Sequence, residues 1–304
     1  MAVDTKAAEN VNVSEEKKRI RRQNSIKRKI DFTKRIFKSP GSKLGAILLL
    51  LLICSAVFAP LVAPYGPYDM DVFNIYAPPS LQHLCGTDEL GRDLLSRLIY
   101  GGRWSLTLGL SATVVGTVAG IILGSIAGYY GGKVENLIMR FCDIWSSIPG
   151  MLLTLLIASS LSTGFTSTVI ALSIGPIPGG ARMTRALILV EREKEYIEAA
   201  KVANCSKPKI MFGHLLPNVI SPTIVGTTMH IGGTITAASG LSYLGFGIAP
   251  PTPEWGSLLA EGTQKFQAYP YLLFFPGVFL GICVLAFNLM GDGLRDALDP
   301  SCLE

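Results

Sequence analysis

Long, mainly apolar stretches of about 20 residues dominate this chain. A bilayer core about 30 Å thick is crossed by an α-helix of roughly 20 apolar residues, and lipid offers the backbone no hydrogen-bond partners, so such stretches must be helical. Of 304 residues, 49% are hydrophobic and 16% charged, which is more apolar than a soluble domain. We predict an all-α membrane protein with six transmembrane helices. The predicted spans are Leu44–Ala63, Ser105–Tyr129, Leu137–Leu161, Thr166–Val190, Val219–Ser239 and Tyr271–Gly291.

The charge distribution predicts an orientation for these spans. Residues 1–43 carry thirteen Lys and Arg against five acids, which favours a cytosolic tail by the positive-inside rule. Its basic runs at 17–29 have no interleaved aromatic residues, so we do not expect the tail to bind nucleic acid. The predicted plan is a cytosolic tail at 1–43, a first helix at 44–64, an external loop at 65–104, a core of five helices at 105–292 with a cytosolic loop at 191–218, and a cytosolic C-terminus at 293–304.

Glycine and proline mark two special places within the spans. The fourth span contains Gly175-Pro176-Ile177-Pro178-Gly179-Gly180, which predicts a broken helix facing other helices or a water-filled path. In the second span, glycine recurs every four residues and lies on one helix face, which predicts a close packing seam within the bundle or at a subunit interface. These glycines are Gly116, Gly120, Gly124 and Gly128.

The external loop ends in a segment with helical spacing of apolar residues. Thr87–Ile99 predicts a short amphipathic helix, with Thr87 as its N-cap and a leucine-rich apolar face. Such a helix would lie on the outer membrane surface or brace the bundle, or present a docking surface to an external partner.

The 191–218 loop predicts two short cytosolic helices. The first is rich in Glu, Ala and Lys, which are strong helix formers. For the second, Ser206 is the predicted cap, Pro208 lies in the first turn and Pro217 ends the helix. A compact helix pair beside the membrane, with small residues on its surface, predicts a docking element for another protein.

Several motifs carry a specific resemblance. Glu198-Ala199-Ala200 and the closing Leu216-Pro217 resemble the permease family of binding-protein-dependent ABC importers. The family pattern has glycine where Asn204 stands, and Asn also tolerates the left-handed conformation of a tight turn. The dipeptide/oligopeptide/nickel branch, C-type subunit, is indicated by the segments at 86–93, 240–247, 250–256 and 287–300.

The resemblance implies partners and a division of labour. It implies a second homologous permease, two ATPase subunits that bind ATP and Mg, and an extracytoplasmic solute-binding protein, assembled in a prokaryotic cell membrane with both termini of this chain cytosolic. The coupling loop would then include Glu198, Ala199, Ala200, Ala203, Asn204, Leu216 and Pro217. We expect no cofactor and no catalysis on this chain, since Gly132-Lys133 lacks the upstream glycine of a phosphate-binding loop.

Ionisable residues inside the spans are candidates for a transport path or gate. Arg140 and Asp143 have i, i+3 spacing in the third span, which favours a self-neutralising pair and leaves a gating role open. His230 lies in the fifth span, and together with Pro176 and Pro178 it completes the candidate path set. The histidines and cysteines show no metal-ligand spacing.

Three functions follow as alternatives. The first is a permease subunit of an ATP-driven importer for dipeptides or oligopeptides, and a nickel or metal-chelate importer of the same family remains open beside it. The second is a secondary transporter driven by an ion gradient. The third is a membrane scaffold or receptor that carries no substrate flux.

Overall fold

The computed structural model describes residues 35–298 of the chain, and this part contains α-helices and no β-strand. Residues 1–34 of the predicted basic tail and residues 299–304 lie outside the described range. The helices are α1 Pro40–Val57, α2 Ala59–Val62, α3 Leu94–Tyr130, α4 Gly132–Ser146, α5 Gly150–Ser160, α6 Phe165–Ile174, α7 Ile177–Arg192, α8 Glu195–Val202, α9 Lys207–Ile210, α10 Leu216–Tyr243, α11 Trp255–Gln264 and α12 Tyr271–Leu298. A π-helical turn, Met211–Leu215, joins α9 to α10.

Three of these helices are long and apolar enough to cross a membrane. They are α1, α3 and α12, whose most apolar 18-residue windows have mean hydropathies of 1.9, 2.0 and 2.3. Taken together, α4 and α5 pass the same test as one bent pair, which gives up to four spans by length and composition. The predicted fifth span lies within α10, which has 28 residues but is rich in threonine and glycine and falls outside this group.

The third predicted span is not one straight helix. Its two halves, α4 and α5, meet at an angle of 85°. Ser147 ends α4, and Pro149 has a ψ of 127°, outside the helical range, before α5 begins. A residue before proline is pushed out of the helical region, so the break falls where the sequence places Ile148-Pro149.

The fourth predicted span is broken where the sequence predicts it. Gly175 and Pro176 separate α6 from α7, and Pro178 lies in the first turn of α7. A proline in the first turn lacks an N–H that would have no helical partner anyway, so Pro178 is accommodated there without loss. The predicted break is confirmed.

The glycine seam of α3 brings this helix into close contact with its neighbours. A Cβ atom added to Gly116 would lie 2.7 Å from the carbonyl oxygen of Ser173, and one added to Gly124 would lie 2.7 Å from Cβ of Thr184. Real Cβ atoms do not approach other atoms so closely, so only glycine allows α3 to pack against α6 and α7 here. The predicted seam is confirmed, and its partner is this chain's own broken span.

The predicted amphipathic helix at Thr87–Ile99 is wrong. Residues 87–93 form a loop, and helix begins at Leu94 as the first turn of α3, with the Asp93 carboxylate accepting a 2.7 Å hydrogen bond from the amide of Ser96. Gly91 has a φ of +71°, which a helix does not allow. Leu94 and Leu98 are buried in the bundle, so their apolar spacing belongs to a core helix and not to a surface one.

Candidate functional site

The 191–218 loop is packed against the rest of the chain through one apolar face. Ile197 and Ala200 of α8 are buried in a cluster with Ile188, Leu215 and Val219, which belong to α7, the π turn and α10. This cluster fixes α8 to the two helices that flank it in the chain. The loop is therefore a defined structural element.

The turn after α8 has the geometry that the sequence predicts. Asn204 has a φ of +53°, in the left-handed region. Its amide donates to the carbonyl of Lys201 at 3.0 Å, and the amide of Cys205 donates to the carbonyl of Ala200 at 3.1 Å. This pair of bonds is a Schellman motif, in which glycine is the usual left-handed residue and Asn an accepted substitute.

The opposite face of this loop is open. Glu198, Ala199, Ala203 and Asn204 are exposed, and Val202 is 89% exposed. Of the predicted coupling residues, Ala200 alone is buried at the core of the loop. The exposed residues can contact another protein, whereas Ala200 holds the loop together.

The prediction that Pro217 ends a helix is wrong. The chain stays helical from Lys207 through the π turn into α10, and Pro217 lies in the first turn of α10. Within the π turn, the amide of Leu216 donates to the carbonyl of Met211, five residues back. The wider turn shifts the hydrogen-bond register just before the proline, where its missing N–H interrupts nothing.

A polar chain ties the two ends of the loop together. Asn218 Nδ2 donates to the hydroxyl oxygen of Tyr196 at 2.8 Å, and Tyr196 donates to Oε1 of Glu191 at 2.6 Å. Lys194 Nζ lies 2.7 Å from the same carboxylate. Burial, and then the hydrogen bond to Glu191, raises the pKa of Tyr196 above its ordinary value. The phenol therefore stays a donor at neutral pH, and the loop is closed on itself.

A cavity of about 520 Å³ lies beside the two broken spans. Both breaks contribute to its wall, through Ile148 and Gly150 on one side and Gly175 and Pro176 on the other. The remaining wall comes from α3, α10 and the helices on either side of the two breaks. Of the predicted path residues, Pro176 and His230 line this cavity, whereas Arg140, Asp143 and Pro178 do not.

Five threonines run along the α3–α10 side of the cavity. Thr113 Oγ1 donates to Thr234 Oγ1 at 3.0 Å, and the hydroxyls of Thr117 and Thr227 lie 3.4 Å apart. Thr223 donates to a carbonyl of its own helix. These hydroxyls give the cavity a polar wall, and none of them was among the predicted path residues.

The predicted pairing of Arg140 with Asp143 is wrong. Asp143 Oδ1 lies 3.3 Å from Nη1 of Arg182, and Nη2 of Arg182 donates to Ser146 Oγ at 2.7 Å. Arg182 is on α7 and lines the cavity, so the pair joins the two broken spans. The i, i+3 spacing indicated a local partner, but helix packing brings a distant one closer to the carboxylate.

Buried charges hold the opposite end of the bundle. Asp88 accepts from Nε of Arg92 at 2.7 Å and also pairs with Arg97, which reaches Glu261 at 3.0 Å. The side chains of Asp88, Arg92 and Arg97 are each at most 5% exposed. The His83 ring lies 3.0 Å from the Asp93 carboxylate. The network ties the loop before α3 to α11, and nothing in the local sequence pattern indicated Glu261 as its partner.

Metal binding has no structural support in the described part of the chain. No group of three or more His, Cys, Asp or Glu side chains lies close enough together between residues 35 and 298 to hold a metal ion.

Comparison with known proteins identifies the family. Residues 120–303, more than half of the chain, match the family described as the inner membrane component of binding-protein-dependent transport systems. The chain belongs to this family. Residues 30–79 match the N-terminal transmembrane domain of oligopeptide transport permease C. The protein is therefore a multi-pass inner membrane permease subunit of an ABC importer, of the C type.

Two curated permeases are similar over most of this permease's length. The di/tripeptide transport system permease protein DppC of Pseudomonas aeruginosa (strain UCBPP-PA14) is 41% identical over 276 residues, which cover 89% of this chain and 91% of that protein. The glutathione transport system permease protein GsiD of Escherichia coli O157:H7 is 41% identical over 271 residues, which cover 89% of each chain.

A solved structure shares the fold. The MetNI methionine ABC transporter, in an inward-facing conformation, matches with a TM-score of 0.55 and 19% identity, over 68% of this chain and 98% of that chain. At this level of identity the likeness shows that the two chains have the same fold.

Proposed function

We propose that this permease forms one half of the translocation path of an ATP-driven peptide importer. A second, related permease supplies the other half, a solute-binding protein delivers peptide from outside, and two ATPase subunits bind ATP and Mg on the cytosolic side. Support for peptide cargo comes from the relatives, whose names specify di/tripeptide and glutathione transport. In this arrangement the permease has six spans, its termini are cytosolic and the cavity lies on the path.

The 191–218 loop is the observation that carries the proposal. Its inner face is fixed by Ile197 and Ala200, and its outer face presents Glu198, Ala199 and the almost fully exposed Val202. Val202 is an apolar side chain on this outer face, and burial against a partner would remove its apolar surface from water. Docking of an ATPase subunit on α8 would pass its movements directly to α7 and α10, since all three helices share one apolar cluster.

Reconstitution tests the function against its alternatives. The complete complex in proteoliposomes should take up di- and tripeptides only when ATP is present on the ATPase side, without an ion gradient. Uptake by this chain alone, driven by an ion gradient, would establish a secondary transporter. An assembled complex that hydrolyses ATP without any flux of peptide or metal chelate would favour a scaffold.

A further inference from the structure

Arg182 is a strong cationic donor in the cavity wall, and its hydrogen bonds are incompletely used among the described residues. The guanidinium group of Arg182 has five N–H donors, and the described residues engage two of them, through Asp143 and Ser146. The Arg182 side chain is 43% exposed and lines the cavity. Three of the N–H groups therefore have no partner among the described residues, and the side chain that carries them lines the cavity.

A neighbouring arginine on the same helix forms a tighter ion pair than Arg182 does. Arg185, one turn further along α7, uses two nitrogens on the carboxylate of Glu135, with its Nε at 2.6 Å, and both side chains are at most one-third exposed. Asp143, by contrast, is 57% exposed and meets Arg182 through one nitrogen at 3.3 Å. The ion pair of Arg185 with Glu135 joins two helices tightly. The weaker pair of Arg182 with Asp143 leaves Arg182 able to bind another carboxylate.

The hydroxyl wall of the cavity is suited to the rest of a peptide. Thr113 donates its only hydroxyl hydrogen to Thr234, and Thr223 donates its own to the carbonyl of Val219, so the oxygens of Thr113 and Thr223 have free lone pairs. These oxygens can accept from peptide amides or an amino group. Acceptors along one wall and a guanidinium at its edge match a molecule with a carboxylate at one end and N–H donors behind it.

We propose that Arg182 receives the C-terminal carboxylate of the peptide during its passage, in exchange for Asp143, while the threonine hydroxyls accept from the peptide's N–H groups. This inference rests on the proposed function and specifies its cargo as peptides with a free carboxylate. Arginine holds a carboxylate through two parallel N–H bonds, which gives the contact both strength and orientation. When the peptide leaves, Arg182 pairs with Asp143 again. The contact with the peptide is therefore transient, as transport requires.

The test uses two peptides of one sequence, one with a free C-terminal carboxylate and one with a C-terminal amide. ATP-dependent uptake of each is measured with the complete importer in proteoliposomes, at peptide concentrations that saturate the binding protein. The binding protein is the same in every preparation. Its own preference therefore cancels when the acid-to-amide uptake ratio of a permease variant is divided by the ratio of the wild type.

We expect Arg182→Gln to lower this ratio about fivefold, which is the loss of one charge-assisted contact discounted for partial exposure. Arg182→Lys keeps the charge but not the planar fork, so it should lower the ratio about twofold. Arg140→Gln is the matched control, because Arg140 is exposed one turn from Asp143 and does not line the cavity, and its ratio should not change.

The variant Asp143→Asn separates carboxylate binding from a structural ion pair. It should leave the ratio unchanged or raise it, because it frees Arg182 for the peptide. Equal loss of both peptides in Asp143→Asn and Arg182→Gln, with no change in ratio, would overturn the inference. If Arg182→Gln fails to assemble with the ATPase subunits, Arg182→Lys is used in its place. An unchanged acid-to-amide uptake ratio in Arg182→Lys would also overturn the inference. A wild-type importer that takes up neither peptide with ATP refutes the proposed function, and the inference fails with it.

Discussion

The backbone amide of Cys205 lies 3.1 Å from the carbonyl oxygen of Ala200, and this hydrogen bond closes α8 around the left-handed Asn204. A β-branched residue in that conformation is strained by about 1–2 kcal/mol, whereas glycine is not. We expect Asn204→Gly to bind ATPase subunits as the wild type does and Asn204→Val to bind them more weakly. Co-purification of the ATPase subunits with each variant measures this. Equal binding by both variants would show that the conformation of this turn does not contribute to ATPase docking.

Gly124 makes the tightest contact of the α3 seam. A methyl group there would meet the backbone carbonyl of Ala181 and Cβ of Thr184. We expect Gly124→Ala to lower the free energy of unfolding by about 1–3 kcal/mol through overpacking. Gly233→Ala is the matched control, since a Cβ at Gly233 meets nothing within 4 Å. Thermal unfolding in detergent compares the two, and a Gly124→Ala protein as stable as Gly233→Ala would show that the seam can separate.

Asp88 is the centre of the buried charge network. Its removal leaves Arg92 without its 2.7 Å partner and Arg97 with Glu261 alone. We expect Asp88→Asn to cost about 3 kcal/mol of unfolding free energy, because breaking a buried pair strands a charge. The adjacent Glu89 is exposed, so Glu89→Gln should change stability by no more than about 0.5 kcal/mol. Urea unfolding of the two variants, followed at the loop before α3, measures the difference. Similar urea midpoints for both would show that the buried network does not stabilise the fold.

Cys85 is buried in the loop before α3, and its thiol should be unreactive in the folded protein. Burial, with a smaller effect of Asp93, raises the pKa of Cys85 to about 11. The unfolded chain loses this proton first, so the stability from this group is present below pH 9 and falls as the pH rises from 9 towards 11. At pH 8, maleimide should label the partly exposed Cys205 well before Cys85 in single-cysteine variants. Labelling of Cys85 at the rate of Cys205 would contradict its burial.

Features that depend on backbone chemistry were predictable from the sequence. The four-residue glycine spacing led to the α3 seam, and the Gly175-Pro176 break falls between α6 and α7. Asn204 was expected to adopt a left-handed conformation, and it does. In each case one residue type permits a conformation or approach that others do not, so local reasoning was sufficient.

Features that depend on distant partners were not predictable. Leucine spacing at 87–99 fits both a surface helix and a loop followed by a core helix, and the buried carboxylate of Asp88 decides for the latter. Asp143 has two arginines available, and only the packing of α7 against α4 selects Arg182. The roles of Glu198 and Ala199 stay predictions, because the structure describes their exposure and not a partner.

In the proposed complex the ATPase subunits dock on the exposed face of α8, and binding of those subunits to two matched variants tests this docking. Val202 is 89% exposed on α8, and Leu81 is 98% exposed in the loop before α3. With α3 about 55 Å long by its rise per residue, the two positions lie at opposite ends of the bundle. Both are exposed apolar residues that can be replaced by a charged one without disturbing the core.

We expect Val202→Asp to lower co-purification of the ATPase subunits at least about tenfold, as desolvating a charge at an interface costs more than 1.4 kcal/mol. Leu81→Asp should leave it at the wild-type level. Full ATPase binding by a folded Val202→Asp permease, or equal loss in both variants, would contradict docking on α8.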